Sequence, residues 1–253
     1  MSDETSTAEK SSVIGVIPAR FGSTRFPGKP LHLINNKPLI QHVWDQCQQC
    51  RNLDHVIVAT DDERIAEAVR KFNGNVAMTS DEHPSGTDRI AEVAAEMPDA
   101  THIINIQGDE PLISPELIDH MAGQMIANPT VEMVTAANPM AADDPEVDNP
   151  NVVKVVLDRY HRALYFSRSP IPFERNLQED ICYYQHKGIY GYRRDFLLKF
   201  VGWEPSMLER VEGLEQLRAL ENGAAIQVIV SRDQSPGIDT PEQAAKLNQQ
   251  LSS

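Results

Sequence analysis

The sequence lacks the features that would direct it to a membrane, to nucleic acid or to an oxidising compartment. No apolar run in its 253 residues approaches the roughly 20 needed to cross a bilayer. Lys and Arg number 23 against 37 Asp and Glu, a formal net charge of −14, so the basic face that nucleic-acid binding requires is missing. The three cysteines support no disulfide framework. Cys47 and Cys50 form a C-x-x-C, but late in a helical pattern rather than at a helix start after a strand, where a redox pair would sit. Cys182 with His186 lacks further ligands at zinc spacing, so the thiols read as helix-surface or semi-buried groups in a reducing cytoplasm. Residues 1–12 have no apolar h-region and read as a disordered polar tail rather than a secretory signal.

What the chain does contain is a loop of small residues and cations directly after a β-branched apolar run. Val13-Ile14-Gly15-Val16-Ile17 reads as a buried parallel strand. Pro18 to Leu31 then holds Gly22, Gly28, three prolines, Arg20, Arg25 and Lys29, so it continues neither as a strand nor as a regular helix. At the carboxyl end of a first strand, exposed N–H groups and positive charge suit an anionic ligand such as a phosphate chain. The loop is not a P-loop, because Ser23 stands at the first glycine position and Pro30 follows the lysine in place of Ser or Thr. The dinucleotide fingerprint is absent as well.

Strand-like and helix-like patterns alternate onward. Helices are expected from Pro38, from Asp61-Asp62 to Gly74, over 87–97 and from Ser114-Pro115, with strands at 55–60, 76–79 and 102–106. This rhythm predicts a doubly wound, mostly parallel sheet. After Val131 the strand candidates 131–136, 152–157, 163–167, 184–192 and 226–230 follow one another with few helices, which predicts antiparallel additions and a small subdomain. Helices are expected over 212–222 and 241–251. No internal repeat breaks the chain, and 253 residues at 41% hydrophobic composition suffice for one large α/β domain.

Two loop carboxylates stand out. Gln107-Gly108-Asp109-Glu110-Pro111 ends the central apolar strand, and alternation along an extended chain sends Asp109 toward a ligand and Glu110 away from it. Asp239 follows the last strand in Gly237-Ile238-Asp239-Thr240-Pro241. Magnesium prefers one or two carboxylates plus substrate phosphates and water, a pattern the pair fits; as loop acids they serve equally as turn or cap residues. His83-Pro-Ser-Gly-Thr-Asp-Arg89 suits base-edge recognition through Ser85 and Gly86, or an ordinary capping turn with Arg89 solvated. Arg168 can clamp a carboxylate in a bidentate way, and His186 and Tyr190, four apart on a strand, face the same side.

Ile17-Pro-Ala-Arg-Phe-Gly-Ser-Thr-Arg-Phe-Pro-Gly-Lys-Pro30 closely resembles the nucleotide-binding loop of the bacterial 3-deoxy-manno-octulosonate (Kdo) cytidylyltransferases, or CMP-Kdo synthetases. The resemblance extends in family order through His83 to Arg89, Gln107 to Pro111, Ala163 to Pro172, Gln185 to Arg193, Leu214 to Arg218 and Gly237 to Glu242. Departures are Pro84, the amino-terminal tail and Ser231-Arg-Asp-Gln-Ser-Pro236.

The resemblance implies a nucleotide-diphospho-sugar-transferase-like α/β fold and transfer of CMP from CTP to Kdo for lipopolysaccharide biosynthesis. It implies Mg²⁺ on Asp109 and Asp239, and catalytic roles for Arg20, Lys29 and Asp109. The nucleotide would be held by Pro18, Ala19, Arg20, Lys29, Ser85, Gly86, Arg89 and Gln107. The sugar acid would be held by Arg168, His186, Tyr190, Glu215 and Gln216, the last two lying off the apolar Leu214/Leu217 face and so free for hydroxyls. It implies a cytoplasmic homodimer with CTP and Kdo as partners and no membrane insertion. The expected division of the single domain 13–253 is a nucleotide-binding part at 13–140, a sugar-binding and dimerisation part at 141–235, and a metal-binding turn with terminal helix at 236–253. Rival readings are a cytidylyltransferase for 8-amino-Kdo or sialic acid, and a non-catalytic nucleotide-sugar sensor.

Overall fold

The structure, a computed structural model, describes residues 11–22, 26–176 and 181–251. The expected tail falls outside them except at its end, where the Ser12 N–H donates to Thr101 Oγ1 at 2.9 Å. Ser23 and Arg25 of the cationic loop also lie outside.

The first half follows the alternation of the sequence. Strand β1 (Val13–Ala19) is succeeded by a small hairpin of β2 (Leu33–Ile34) and β3 (Lys37–Pro38), then α1 (Leu39–Cys47), β4 (His55–Thr60), α2 (Glu63–Lys71), β5 (Val76–Met78), α3 (Gly86–Glu96), β6 (His102–Asn105) and α4 (Pro115–Ala127). The helix starts are where the capping residues place them: Asp62, Ser85 and Ser114 each accept from a first-turn N–H of the helix that follows. Cys47 and Cys50 lie at the end of α1 and just after it, as expected. Burial raises both thiols, Cys50 to about 12 with Asp119 and Glu116 adding to the shift, which disfavours the reactive thiolate.

The second half holds β7 (Met133–Ala141), β8 (Lys154–Leu157), β9 (Ala163–Ser167), β10 (Cys182–Arg193), α5 (Arg194–Phe200), α6 (Met207–Glu212), α7 (Gln216–Glu221), β11 (Ile226–Val230) and α8 (Pro241–Leu251). The helix expected over 212–222 is shorter and corresponds to α7 alone. Gly213, at φ 63°, ends α6 in the left-handed region, and Glu215 starts α7 anew. Helices α5 and α6 lack a long periodic stretch and were not anticipated.

The described residues form a nine-stranded mixed sheet with central order β11-β7-β10-β6-β1-β4-β5. Strands β6, β1, β4 and β5 run parallel. The antiparallel strand is not an edge addition: β10 lies between β6 and β7, and only the β8–β9 hairpin stands off the main order. Alternation along β1 sends Val13, Ile17 and Ala19 to a core beneath α1, α2, α4 and α8, and Ile14 and Val16 to a core beneath α3, α5 and α7. From β1 the chain moves outward to β4 and β5, then returns to β6 on the other side. The crevice at the carboxyl ends of β1 and β6 is therefore the topological switch point, where open α/β sheets take their ligands.

Candidate active site

The cavity at that switch point has a volume of about 340 Å³. Pro18, Ala19 and Arg20 leave β1 on one side of it, Gln107, Gly108 and Asp109 leave β6 on another, and the 83–86 turn before α3 closes it. All eight residues expected at the nucleotide line this cavity, as do Asp109 and Asp239. Pro30, His83, Pro84 and Gly108 also line it and were given no role from sequence. Gly108 had a readable signal, a glycine at the exit of a buried strand.

Gly28 shapes the cationic loop. Its left-handed φ of 69° lets its N–H donate to the Phe21 carbonyl at 2.9 Å, and a short 3₁₀ turn at 29–31 follows. The Arg64 guanidinium stacks 3.3 Å from the Phe21 ring centroid and pins the loop from outside. The turn delivers Lys29 Nζ to 2.7 Å from Asp109 Oδ2 and 3.2 Å from Asp239 Oδ1. Two acids 130 positions apart in the chain thus converge on one cation. The Ile238 N–H donates to the Asp109 carbonyl at 2.8 Å and locks that convergence through the backbone. Among the described residues no group of three or more His, Cys, Asp or Glu side chains is poised to hold a metal by itself. Two carboxylates gathered around an ammonium nonetheless fit a hard divalent cation whose remaining oxygens come from phosphate and water.

Glu110 points the other way, as expected, but a turn and not strand alternation separates it from Asp109: β6 ends at Asn105, and the Glu110 N–H donates to the Gln107 carbonyl at 3.3 Å. The Glu110 side chain is buried against Ser235 Oγ at 3.1 Å and Lys187 Nζ at 3.4 Å. Burial raises its pKa, against the pull of the Lys187 ammonium. Arg89 is not solvated: it is buried, donating to Asp61 Oδ2 at 2.9 Å and to Thr79 Oγ1 at 2.5 Å. Ser85 caps α3 and also donates to Glu215 Oε1 at 3.0 Å. The Gln107 Nε2 donates to the Gly188 carbonyl at 2.7 Å and ties the β6 exit to β10.

The five residues expected at the sugar do not line the cavity, and their surroundings differ from expectation. The Arg168 guanidinium does not present a free fork. Nε donates to the Glu212 carbonyl at 2.7 Å, Nη1 to the Pro150 carbonyl at 3.0 Å and Nη2 to the Gly213 carbonyl at 3.4 Å, because the turns at 150 and 213 leave these acceptors without backbone partners. Gln216 is buried rather than available at a surface, and its Nε2 has no hydrogen-bond partner. Glu215 is engaged by the Ser85 and Thr87 hydroxyls, while burial raises its pKa against them. His186 and Tyr190 do share a face, with ring centroids 5.4 Å apart, in an aromatic row running from Phe166 to Tyr192. His186 Nε2 lies 3.0 Å from Thr135 Oγ1, and burial pushes its pKa down to about 3.

Residues 14–227 match the sequence model of the family described as cytidylyltransferase. Relatives from Pelobacter propionicus and Geobacter sulfurreducens, both named 3-deoxy-manno-octulosonate cytidylyltransferase, are 47% and 48% identical over 251 residues, covering 95% of this chain and 97% and 99% of their own length. A solved structure of a CMP:2-keto-3-deoxy-manno-octonic acid synthetase complexed with CTP superposes with a TM-score of 0.92 at 42% identity, over 96% of this chain and 99% of that one. The 4-diphosphocytidyl-2C-methyl-D-erythritol synthase of Anaerococcus prevotii, with a TM-score of 0.63 at 14% identity over 96% of this chain and 97% of that one, shares the fold alone. The near-complete coverage by relatives at almost half identity leaves one conclusion: the chain belongs to the 3-deoxy-manno-octulosonate cytidylyltransferase family.

Proposed function

We propose that the protein transfers CMP from CTP to the anomeric hydroxyl of Kdo, giving CMP-Kdo and pyrophosphate, as a step of lipopolysaccharide biosynthesis. The observation that supports this most directly is the meeting of Lys29, Asp109 and Asp239 at the mouth of a cavity walled by the β1 and β6 exits. CTP is the ligand of the solved relative, and Kdo is the acid in the relatives' names. The exposed Arg20 and the Lys29 ammonium are the cations that meet a triphosphate. Pro18, Ala19, Ser85 and Gly86 line one part of the cavity, with the Gly86 turn packed against the Pro18 ring, and are the groups proposed to hold the base.

The reaction is an in-line displacement: the sugar oxygen bonds to the α-phosphorus, the α–β bridging oxygen leaves with pyrophosphate, and the hydroxyl proton is released. Arg20 and Lys29 stabilise charge on the leaving pyrophosphate. Asp109 and Asp239 are the residues that would hold Mg²⁺, which supplies charge neutralisation of the phosphates and lowers the cost of ionising a bound hydroxyl. Lys29 then turns from the carboxylates to the phosphates. Glu215, held by Ser85, and the His186–Tyr190 face are the groups proposed for the sugar acid. No helix among the described residues is long and apolar enough to cross a membrane. A cytoplasmic homodimer is part of the same reading.

The test is pyrophosphate release with CTP and Mg²⁺, comparing Kdo, 8-amino-Kdo and N-acetylneuraminate. Turnover with Kdo is expected. Preference for another acid keeps the chemistry and moves the substrate, and CTP binding without release from any of them overturns the reading.

A further inference from the structure

Lys187 is a buried lysine, 8% exposed, outside the cavity and outside every role described above. A buried ammonium is costly unless its charge is matched. Its Nζ lies 2.8 Å from the Ser235 carbonyl, 3.1 Å from Ser235 Oγ, 3.4 Å from Glu110 Oε2 and 3.7 Å from Asp233 Oδ2. Ser235 Oγ in turn lies 2.6 Å from Asp233 Oδ2 and 3.1 Å from Glu110 Oε2, so all four groups form one closed network.

The position of this network gives it a consequence for the site. Glu110 is the neighbour of Asp109, and Ser235 opens the turn that ends in Asp239. Lys187 itself stands where the pairing of β10 with β7 slips: Lys187 faces Ala136 and Tyr190 faces Thr135. Alternation, kept in phase across that irregularity, leaves His186 and Tyr190 on one face and directs Lys187 to the other, where it meets Ser235.

We infer that Lys187 is a positioning residue that sets the separation of Asp109 and Asp239, and through it the affinity for a divalent cation once nucleotide is bound. The inference rests on the metal role proposed for those two acids. Lys187 reaches neither substrate nor metal. It neutralises Glu110 and fastens the 233–235 turn to the β6 exit, while the Ile238–Asp109 backbone bond fastens the other end. Groups that hold metal ligands in place from behind change metal affinity when removed.

The experiment measures the CTP dissociation constant of the full chain by calorimetry, once in EDTA and once in excess Mg²⁺. The ratio of the two constants reports the coupling between metal and nucleotide. For Lys187→Met the ratio should fall by about tenfold, with the EDTA value moved by less than about twofold. Ser235→Ala keeps the lysine and its backbone contact, folds more safely, and should lower the ratio in the same direction by less. A purely structural lysine would lower stability and leave the ratio at the parent value; folded variants with a parent ratio overturn the inference. Should Lys187→Met fail to fold, the Ser235→Ala ratio decides alone. A parent whose CTP affinity is equal in EDTA and Mg²⁺ overturns the metal reading instead, and the inference with it.

Discussion

Gly108 lies so close to Pro18 that a Cβ built on it would stand 2.9 Å from the Pro18 carbonyl oxygen. The contact joins the two strand exits that frame the cavity, and the near atom is backbone that cannot rotate away. At Gly86, in the turn expected to recognise a base edge, an added Cβ would meet only the Pro18 ring at an ordinary 3.5 Å. Gly108→Ala should therefore displace Asp109 from Lys29. Steady-state kinetics should show kcat/KM lowered on the order of 10²-fold, as misplacement of about 1 Å does. Gly86→Ala should bind CTP no more than modestly less well. A Gly108→Ala enzyme with parent kinetics would remove the close approach from the mechanism.

Asp109→Asn keeps the shape of the side chain and deletes the charge facing Lys29 and Asp239. The variant should retain the parent's circular dichroism and melting temperature, because the contact is partly open to solvent and exposed ion pairs contribute little. Turnover should fall by on the order of 10²-fold or more. A well-folded variant with near-normal turnover would sink the role given to Asp109.

Arg218 holds Glu209 in a bidentate pair, Nε to Oε2 at 2.8 Å and Nη2 to Oε1 at 2.7 Å, and so joins α6 to α7 across the Gly213 turn. Both side chains are nearly buried, so removing one leaves an unmatched charge. Arg218→Ala should destabilise the fold by about 3–5 kcal/mol in urea unfolding. A loss below about 1 kcal/mol would mean that the pair behaves as a surface ion pair.

His186 makes stability depend on pH in a known direction. Its folded pKa of about 3 lies below the unfolded value near 6.5, so between these values the unfolded chain takes up a proton that the folded chain refuses. The contribution is present above about pH 6.5 and is lost as pH falls toward 3, with a slope approaching about 1.4 kcal/mol per pH unit inside the window. Glu110 and Glu215, raised by burial, act in the opposite sense on acidification. The difference between the parent and His186→Gln isolates the histidine. That difference should shrink steadily from pH 7 to pH 4, and a difference independent of pH would refute the half-buried neutral imidazole.

Local rules settled much of this protein in its sequence. The β1 run and the loop of Gly28 and Lys29 declared themselves because chain stiffness, turn conformation and local charge are written in consecutive residues. The caps at Asp62, Ser85 and Ser114 did so for the same reason. The opposite directions of Asp109 and Glu110 were also expected, although the turn at 107–110, and not the alternation invoked for them, produces the result.

Tertiary structure alone decided the rest, where the outcome depends on groups far apart in the chain. The helix expected over 212–222 starts only at Gln216 because Gly213 turns left-handed at the end of α6, and Arg218 and Glu209 join the two helices across that turn. β10 lies inside the sheet rather than at its border because β6 and β7 both need its hydrogen bonds. The Arg168 fork belongs to carbonyls that only the fold brings near it. Lys187 could not be distinguished in sequence from a solvated lysine. Its burial, its carboxylates and its place behind Asp109 and Asp239 exist only once residues 110, 187 and 235 meet, and a buried charge takes its meaning from what surrounds it.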